Sequence, residues 1–215
     1  ILEQKLLQLA AEAASGEPSA GESEYSSPVA FVEAEAAVTP APGGGSVGAA
    51  AGALGAALAH MVAGLTVGRK RYADVNDEAQ RIMDRAAELQ PALLAAIDED
   101  AEAFAQVMGV MRDKSLDETT KAGALEAATI VACEVPLHIA RLSRDVAQLG
   151  RTITQIGNIN ATSDAAAAAI MARAAVQIAS LNVKINAATL ADTSRLRDWS
   201  VELATLEDEA EQLAA

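Results

Sequence analysis

Thr39–Thr66 reads TPAPGGGSVGAAAGALGAALAHMVAGLT, and the fold turns on how its second half behaves. Val47 to Val67 carries no formal charge, and His60 is its only side chain able to gain one. At ~1.5 Å per residue the run is long enough to cross a bilayer, and Gly48 with Gly52 forms a GxxxG pair. Yet it is mostly alanine and glycine, only weakly apolar, and it has no aromatic belt. Small residues all round a helix let other backbones pack closely on every side. The expected structure is therefore a central helix buried among others. Pro40 and Pro42 disfavour helix just ahead of it. Gly43, Gly44 and Gly45 permit positive φ and close approach to another surface. Ser46 is expected to be the N-cap. The free N–H groups and positive dipole end behind it make Gly43–Ser46 a candidate anion cradle.

A glycine turn before a helix also suggests a nucleotide binder. A P-loop needs a lysine that is absent here. The phosphate loop of small-molecule kinases in the galactokinase and homoserine kinase group looks closer, but such folds need many strands. This chain offers no alternating strand pattern and no internal repeat. With 51% apolar but only 2% aromatic residues, its core must be built from Ala, Leu, Ile and Val. The expected fold is all-α, a bundle of long antiparallel helices, and its alanine-rich faces suggest a helix-mediated homodimer.

The 215 residues carry a net charge of −14, which argues against nucleic acid as a partner. One cysteine, Cys133, excludes an internal disulfide and fits a reducing cytoplasm. His60 and His138 are far apart, and no Cys/His ligand spacing appears, so no metal site is expected. No signal peptide is visible, and a cytoplasmic, membrane-free protein is expected.

Two domains are expected: an N-terminal helix and linker over residues 1–27, and a helical domain over 28–215. Within the first, Ile1–Ala14 is amphipathic and Ser15–Ser27 reads as linker. Pro28–Val38 is a short helix leading into the glycine turn. After the central helix comes Gly68-Arg69-Lys70-Arg71-Tyr72, the one dense basic cluster. It complements the helix dipole, and it also suits a ligand carboxylate. Asp74–Lys114 is a long helix with Pro91 inside. There Asp100 shares an apolar stripe with Ile97, Phe104, Val107 and Met111, whereas Asp98, Glu99 and Glu102 face water. A carboxylate on that stripe is either paired with a buried cation or raised in pKa toward acid–base work. Asp117 caps the next helix, Thr119–Gln148, interrupted at Pro136. Gly157-Asn158-Ile159-Asn160 is a loop. Ser163 is expected to cap an alanine-rich helix over Ala165–Ala191, with Asp164 in its first turn. Asn182 and Asn186 lie one turn apart on that helix. Buried amides need partners: a neighbouring helix or a hydrogen-bonding heterocycle. A last amphipathic helix runs to Ala214, with Leu196, Trp199, Leu203, Leu206 and Leu213 inward.

Taken in order, TPAPGGGS, LTVGRKRY, DEDAEAF, EVPL, GNINATSD and NVKIN are more specific than any one of them. Together they resemble the cyclodeaminase/cyclohydrolase family. It comprises the cyclodeaminase half of formiminotransferase-cyclodeaminase and stand-alone bacterial methenyltetrahydrofolate cyclohydrolases. The resemblance covers Pro28 to the C-terminus. It implies an all-helical homodimer acting on a tetrahydrofolate, with no metal and no redox cofactor. Matched position by position, Gly43, Gly44, Gly45 and Ser46 fall on its glycine signature, and Gly68, Arg69 and Lys70 on its basic segment. Asp100 and Phe104 fall on its D-x-x-AF segment, Pro136 on its VP pair, Asn158, Ser163 and Asp164 on GN…SD, and Asn182 and Asn186 on NVxxN. Ala41 departs from the usual threonine, and His60 and Lys184 match nothing.

The resemblance implies Asp100 and Asp164 as proton carriers. Asn158, Ser163, Asn182, Asn186 and the glycine turn would bind or orient substrate, and Arg69 and Lys70 would hold its glutamate carboxylates. The expected activity is closure of 5-formiminotetrahydrofolate to 5,10-methenyltetrahydrofolate with loss of ammonia. The alternatives are hydrolysis of the methenyl compound to 10-formyltetrahydrofolate, or a non-catalytic folate-binding scaffold. Formimino transfer is not expected, since the transferase half has no counterpart here. Asp164 and Asn182 are about 27 Å apart along an unbroken helix. Either that helix breaks, or the site is shared between two subunits.

Overall fold

A computed structural model describes residues 27–190 and 193–215. Helix expected over Ile1–Ala14, and nearly all of the linker after it, lie outside the described residues. Chain contacts divide the molecule into residues 1–38 and 39–215. In the first unit α1 spans Pro28–Ala36. Pro28 opens it without losing a needed N–H, and the Ser27 hydroxyl accepts from Ala30 N–H at 3.1 Å.

In the second unit every described element is helical. They are α2 (Gly44–Thr66), α3 (Asn76–Arg112), α4 (Glu118–Ile156), α5 (Thr162–Ala187) and α6 (Thr193–Ala214), with 3-10 turns at Lys70–Val75 and Ile159–Ala161. The central helix packs against α3, α4 and α5 together. Its glycines make this possible. A Cβ on Gly48 would lie 3.1 Å from Ile178 of α5, one on Gly52 2.7 Å from Ser143 Oγ of α4 and 3.1 Å from Leu93 of α3, and one on Gly55 2.9 Å from the Ala168 carbonyl of α5. Three neighbours thus approach the α2 backbone along one line. Leu89, Leu93, Leu137, Ile139, Ile153 and Val176 fill the space between helices and are almost wholly buried. Each such side chain contributes about 1.5–3 kcal/mol relative to exposure.

Helix α6 closes over α4 and α5. Buried Trp199, Leu203, Leu206 and Ala210 form its seam, and Leu196 and Leu213 are only half-buried. Ion pairs Arg141–Glu202, Arg173–Glu211 and Lys184–Glu207 rim the seam. Exposed pairs of this kind contribute about 0–1 kcal/mol each, so the apolar seam holds the helix and the pairs set its register.

Several sequence expectations change. The α2 helix begins at Gly44, with Gly43 as N-cap and no side-chain cap; Ser46 lies inside the first turn. None of Gly43, Gly44 and Gly45 uses positive φ. That role falls to Gly68 at φ 73°, which turns the chain after α2. The Ala41–Pro42 peptide is cis. The α4 helix is not interrupted at Pro136 and runs on through Gly150 to Ile156. Ser163 does not cap α5; Ala161 holds the N-cap position without a side-chain bond. Asp117 does cap α4, accepting from Thr119 and Thr120 N–H at 3.1 and 3.0 Å. Three helices, Gly44–Thr66, Glu118–Ile156 and Ile159–Ala187, are long and apolar enough to cross a membrane by length and composition.

Candidate active site

The first turn of α2 meets the middle of α3 and the last turns of α5. Gly45 is there because nothing larger fits: an added Cβ would run into the Asp100 carboxylate. One residue earlier, a Cβ on Gly44 would lie 3.3 Å from Asn182 Nδ2. Ser46 is fully buried, and its Oγ lies 3.1 Å from Asp100 Oδ2 and 3.2 Å from the Ile97 carbonyl. Its backbone N–H also donates to the Asp100 carboxylate. The Ser46 end of the expected anion cradle is thus engaged by the protein's own Asp100 side chain.

Asp100 is half-buried. Burial pushes its pKa above the usual carboxylate range, opposed by the bonds from the Ser46 hydroxyl and backbone. Removal from water disfavours the charged form more than those two donors restore it. Among the described residues no cation contributes, so no structural ion pair is formed there. Asn182 donates to the Ile178 carbonyl at 2.9 Å and lines a surface depression of about 440 Å3 with Leu181, Lys184 and Ile185.

Asn186, one turn further along α5, is used differently from the expected substrate contact. Its Nδ2 donates to the Ala132 carbonyl of α4 at 2.7 Å. Pro136 has no N–H to offer that carbonyl four residues earlier. Asn186 therefore fills the gap that the proline leaves, which also explains how α4 continues through it.

The remaining candidates gather at the other end of α2, about 30 Å along the helix from Ser46. Asn158 N–H donates to Thr66 Oγ1 at 2.9 Å, and its side-chain Nδ2 to the Leu65 carbonyl at 3.1 Å. Its Oδ1 accepts from Asn160 N–H at 3.0 Å. Ile159 N–H donates to the Tyr72 hydroxyl at 3.0 Å. The Asn158 amide is thus engaged with backbone and shapes the loop, rather than standing free for a ligand. Ser163 is exposed and Asp164 half-exposed on the first turn of α5, and Arg69 and Lys70 are exposed just after α2. Thr66 and Tyr72 had no assigned role in the sequence; their contacts join residues some 90 positions apart, which no local pattern signals.

So one chain unites Gly44, Gly45, Ser46, Asp100 and Asn182, and holds Arg69, Lys70, Asn158, Ser163 and Asp164 apart from them. Helix α5 is unbroken between Asp164 and Asn182, so the breaking alternative is excluded. Among the described residues no three His, Cys, Asp or Glu side chains are grouped to hold a metal ion.

Comparison with known proteins bears on this arrangement. Residues 28–205 match the family described as formiminotransferase-cyclodeaminase. A methenyltetrahydrofolate cyclohydrolase of Methylorubrum extorquens is 37% identical over 183 residues, 84% of this chain and 88% of that protein. The formimidoyltransferase-cyclodeaminase of Rattus norvegicus is 32% identical over 86% of this chain, but the match spans only 35% of the rat protein. The crystal structure of a formiminotetrahydrofolate cyclodeaminase from Thermotoga maritima superposes with a TM-score of 0.81 at 33% identity, covering 87% of this chain and 91% of that one. The order of motifs from the glycine turn to NVKIN, the helical fold and these matches agree, and the chain belongs to the formiminotransferase-cyclodeaminase family.

Proposed function

We propose that the chain is a folate one-carbon enzyme, a formimidoyltetrahydrofolate cyclodeaminase. The observation that carries this reading is Asp100: a carboxyl raised by burial, seated against a glycine turn, with Asn182 beside the same turn. In the reaction the N10 nitrogen of 5-formiminotetrahydrofolate attacks the carbon of the formimino group, which enters protonated as the amidinium N5–CH=NH2+. Asp100 takes the proton from N10 as the bond forms, giving a tetrahedral aminal. It returns that proton to the amine as the carbon–nitrogen bond breaks and ammonia departs. A carboxyl whose pKa lies nearer the working pH performs both halves of that transfer better. The one-carbon unit keeps its oxidation level, so the chemistry asks for no redox cofactor.

The second half of the site is supplied by a second copy of the chain. Two antiparallel subunits meeting along α2 and α5 would set one copy's Asp100 end beside the other's Arg69 end. Val47, Leu54, Met61 and Leu65 of α2, with Ile170, Leu181 and Ile185 of α5, are apolar and exposed in the single chain. An isologous interface would cover them. Arg69 and Lys70 would then hold the substrate's glutamate carboxylates against an otherwise repelling charge of −14. These apolar faces are read as protein-facing, not lipid-facing.

The stand-alone relative from Methylorubrum, matched over most of its length, favours a second reaction: water attack on 5,10-methenyltetrahydrofolate to give 10-formyltetrahydrofolate. Incubation with 5-formiminotetrahydrofolate, followed by an ammonia assay and methenyl absorbance, decides. Ammonia with rising absorbance supports the deaminase. Absorbance loss from added methenyl compound, beyond the buffer rate, supports the hydrolase. Neither signal at micromolar enzyme would leave a non-catalytic helical protein.

A further inference from the structure

The Ser46 hydroxyl has one hydrogen and faces two acceptors, Asp100 Oδ2 at 3.1 Å and the Ile97 carbonyl at 3.2 Å. Both are oxygens, and the serine is shut away from water on every side. A hydroxyl also accepts through its lone pairs. Two arrangements are therefore open without moving any heavy atom. With Asp100 ionised, Ser46 Oγ–H donates to Oδ2. With the proton on Oδ2, Asp100 donates to Ser46 Oγ, whose own hydrogen turns to the Ile97 carbonyl. The Ser46 backbone N–H stays on the carboxyl group throughout.

We propose that Ser46 is the positioning residue that keeps Asp100 hydrogen-bonded in both of its protonation states. The inference rests on the assignment of Asp100 as proton carrier above. A carboxyl set against a buried hydroxyl normally strands one partner when it gains or loses a proton, and an unsatisfied buried group destabilises that state. A hydroxyl that rotates by one bond removes that penalty from each half of the cycle. The proton concerned comes from the substrate nitrogen or water and returns to the leaving group. Serine supplies none and takes none. A residue with a fixed donor, or with none, would favour one state over the other.

Among the described residues no charged group shifts Asp100 beyond burial and its bonds from Ser46. Helix α2 carries no titratable side chain before His60. On α5, Lys184 pairs with Glu207 at 2.9 Å. On α4, Glu134 pairs with Arg195 at 3.5 Å, and burial pushes the Cys133 thiol up to about 11. Asp98, Glu99 and Glu102 flank Asp100 on its own helix, and Glu99 and Glu102 are exposed.

The test titrates Asp100 directly, in substrate-free protein, through the carboxyl carbon of 13C-labelled aspartate assigned with Asp100→Asn. Ser46→Ala is expected to raise the Asp100 midpoint: both forms lose a partner, but the ionised form loses a charge-assisted bond, the stronger of the two. Ser46→Cys, a weak donor of similar size, should fall between the two and serves if the alanine variant does not fold. In turnover, kcat should drop about tenfold or more with KM little changed, and the acidic limb of the pH profile should move up with the midpoint. An Asp100 midpoint unchanged in a folded Ser46 variant overturns the proposal. A shifted midpoint in a protein that turns over no folate would uphold the Ser46–Asp100 coupling and reject the functional reading.

Discussion

Gly45 and Asp100 face each other so closely that a single methyl group tests the site. Gly45→Ala would force the Asp100 carboxylate from its place, and a displacement of about 1 Å can cost on the order of 100-fold in turnover. The melting temperature should fall far less, since the neighbour that must give is a side chain and not backbone. Asp100→Asn should lower turnover by about 10²- to 10⁴-fold. Its effect on stability has the opposite sign. The folded-state pKa of Asp100 lies above the unfolded value, so the fold favours the neutral form. The wild type loses stability as pH rises through that interval, and an amide does not. The variant should therefore melt higher than wild type at neutral pH, and the gap should close at about pH 4 and below. Differential calorimetry across that range checks it. Asp100 itself was legible in the sequence, because a lone acid on an apolar stripe stands out at helical spacing. Ser46 was legible as a candidate but not in its role. A serine after three glycines has the pattern of a cap. Only the approach of α3 shows that its hydroxyl goes to Ile97 and Asp100.

Along α4 and α5 the informative contact is one amide against one carbonyl. Asn186→Ala would leave the Ala132 carbonyl without its donor, a cost of about 1–3 kcal/mol. In a Pro136→Ala background the new backbone N–H reaches Ala132 instead, and Asn186→Ala should then cost less than half as much. A double-mutant cycle by urea denaturation measures the difference. From sequence a proline inside a helix reads as an interruption, because the missing hydrogen bond is a local fact. Its replacement comes from 54 residues away and carries no local mark. The same limit explains the ends of helices. Asp117 was placed because its cap bonds lie within three residues. The starts of α2 and α5 carry no such local mark, because neither helix has a side-chain cap. The helical class and the long central α2 were legible, since charge-free alanine-rich runs leave few other structures.

At the scale of the whole chain, the two groups of candidate residues stand at opposite ends of α2. If two subunits share each site, mixing Asp100→Asn and Asp164→Asn chains should restore activity that neither has alone. Random mixing would return about a quarter of the wild-type rate, because half of the dimers each carry one intact site of two. Heterodimers that form and remain inactive would reject the shared site. The division was half visible in sequence: Asp164 and Asn182 were too far apart on one helix to meet, but which residues kept company with each could not be read without packing. The rod between them has a further implication. Each residue of a helix turns the next by about 100°, so one inserted or deleted residue within α2 would swing Gly45 off the Asp100 side while Thr66 stayed against its loop. Seven residues, close to two full turns, would nearly restore the phase. Length variation among relatives should therefore be barred from this helix and confined to the connections, such as the 3-10 turn after Gly68.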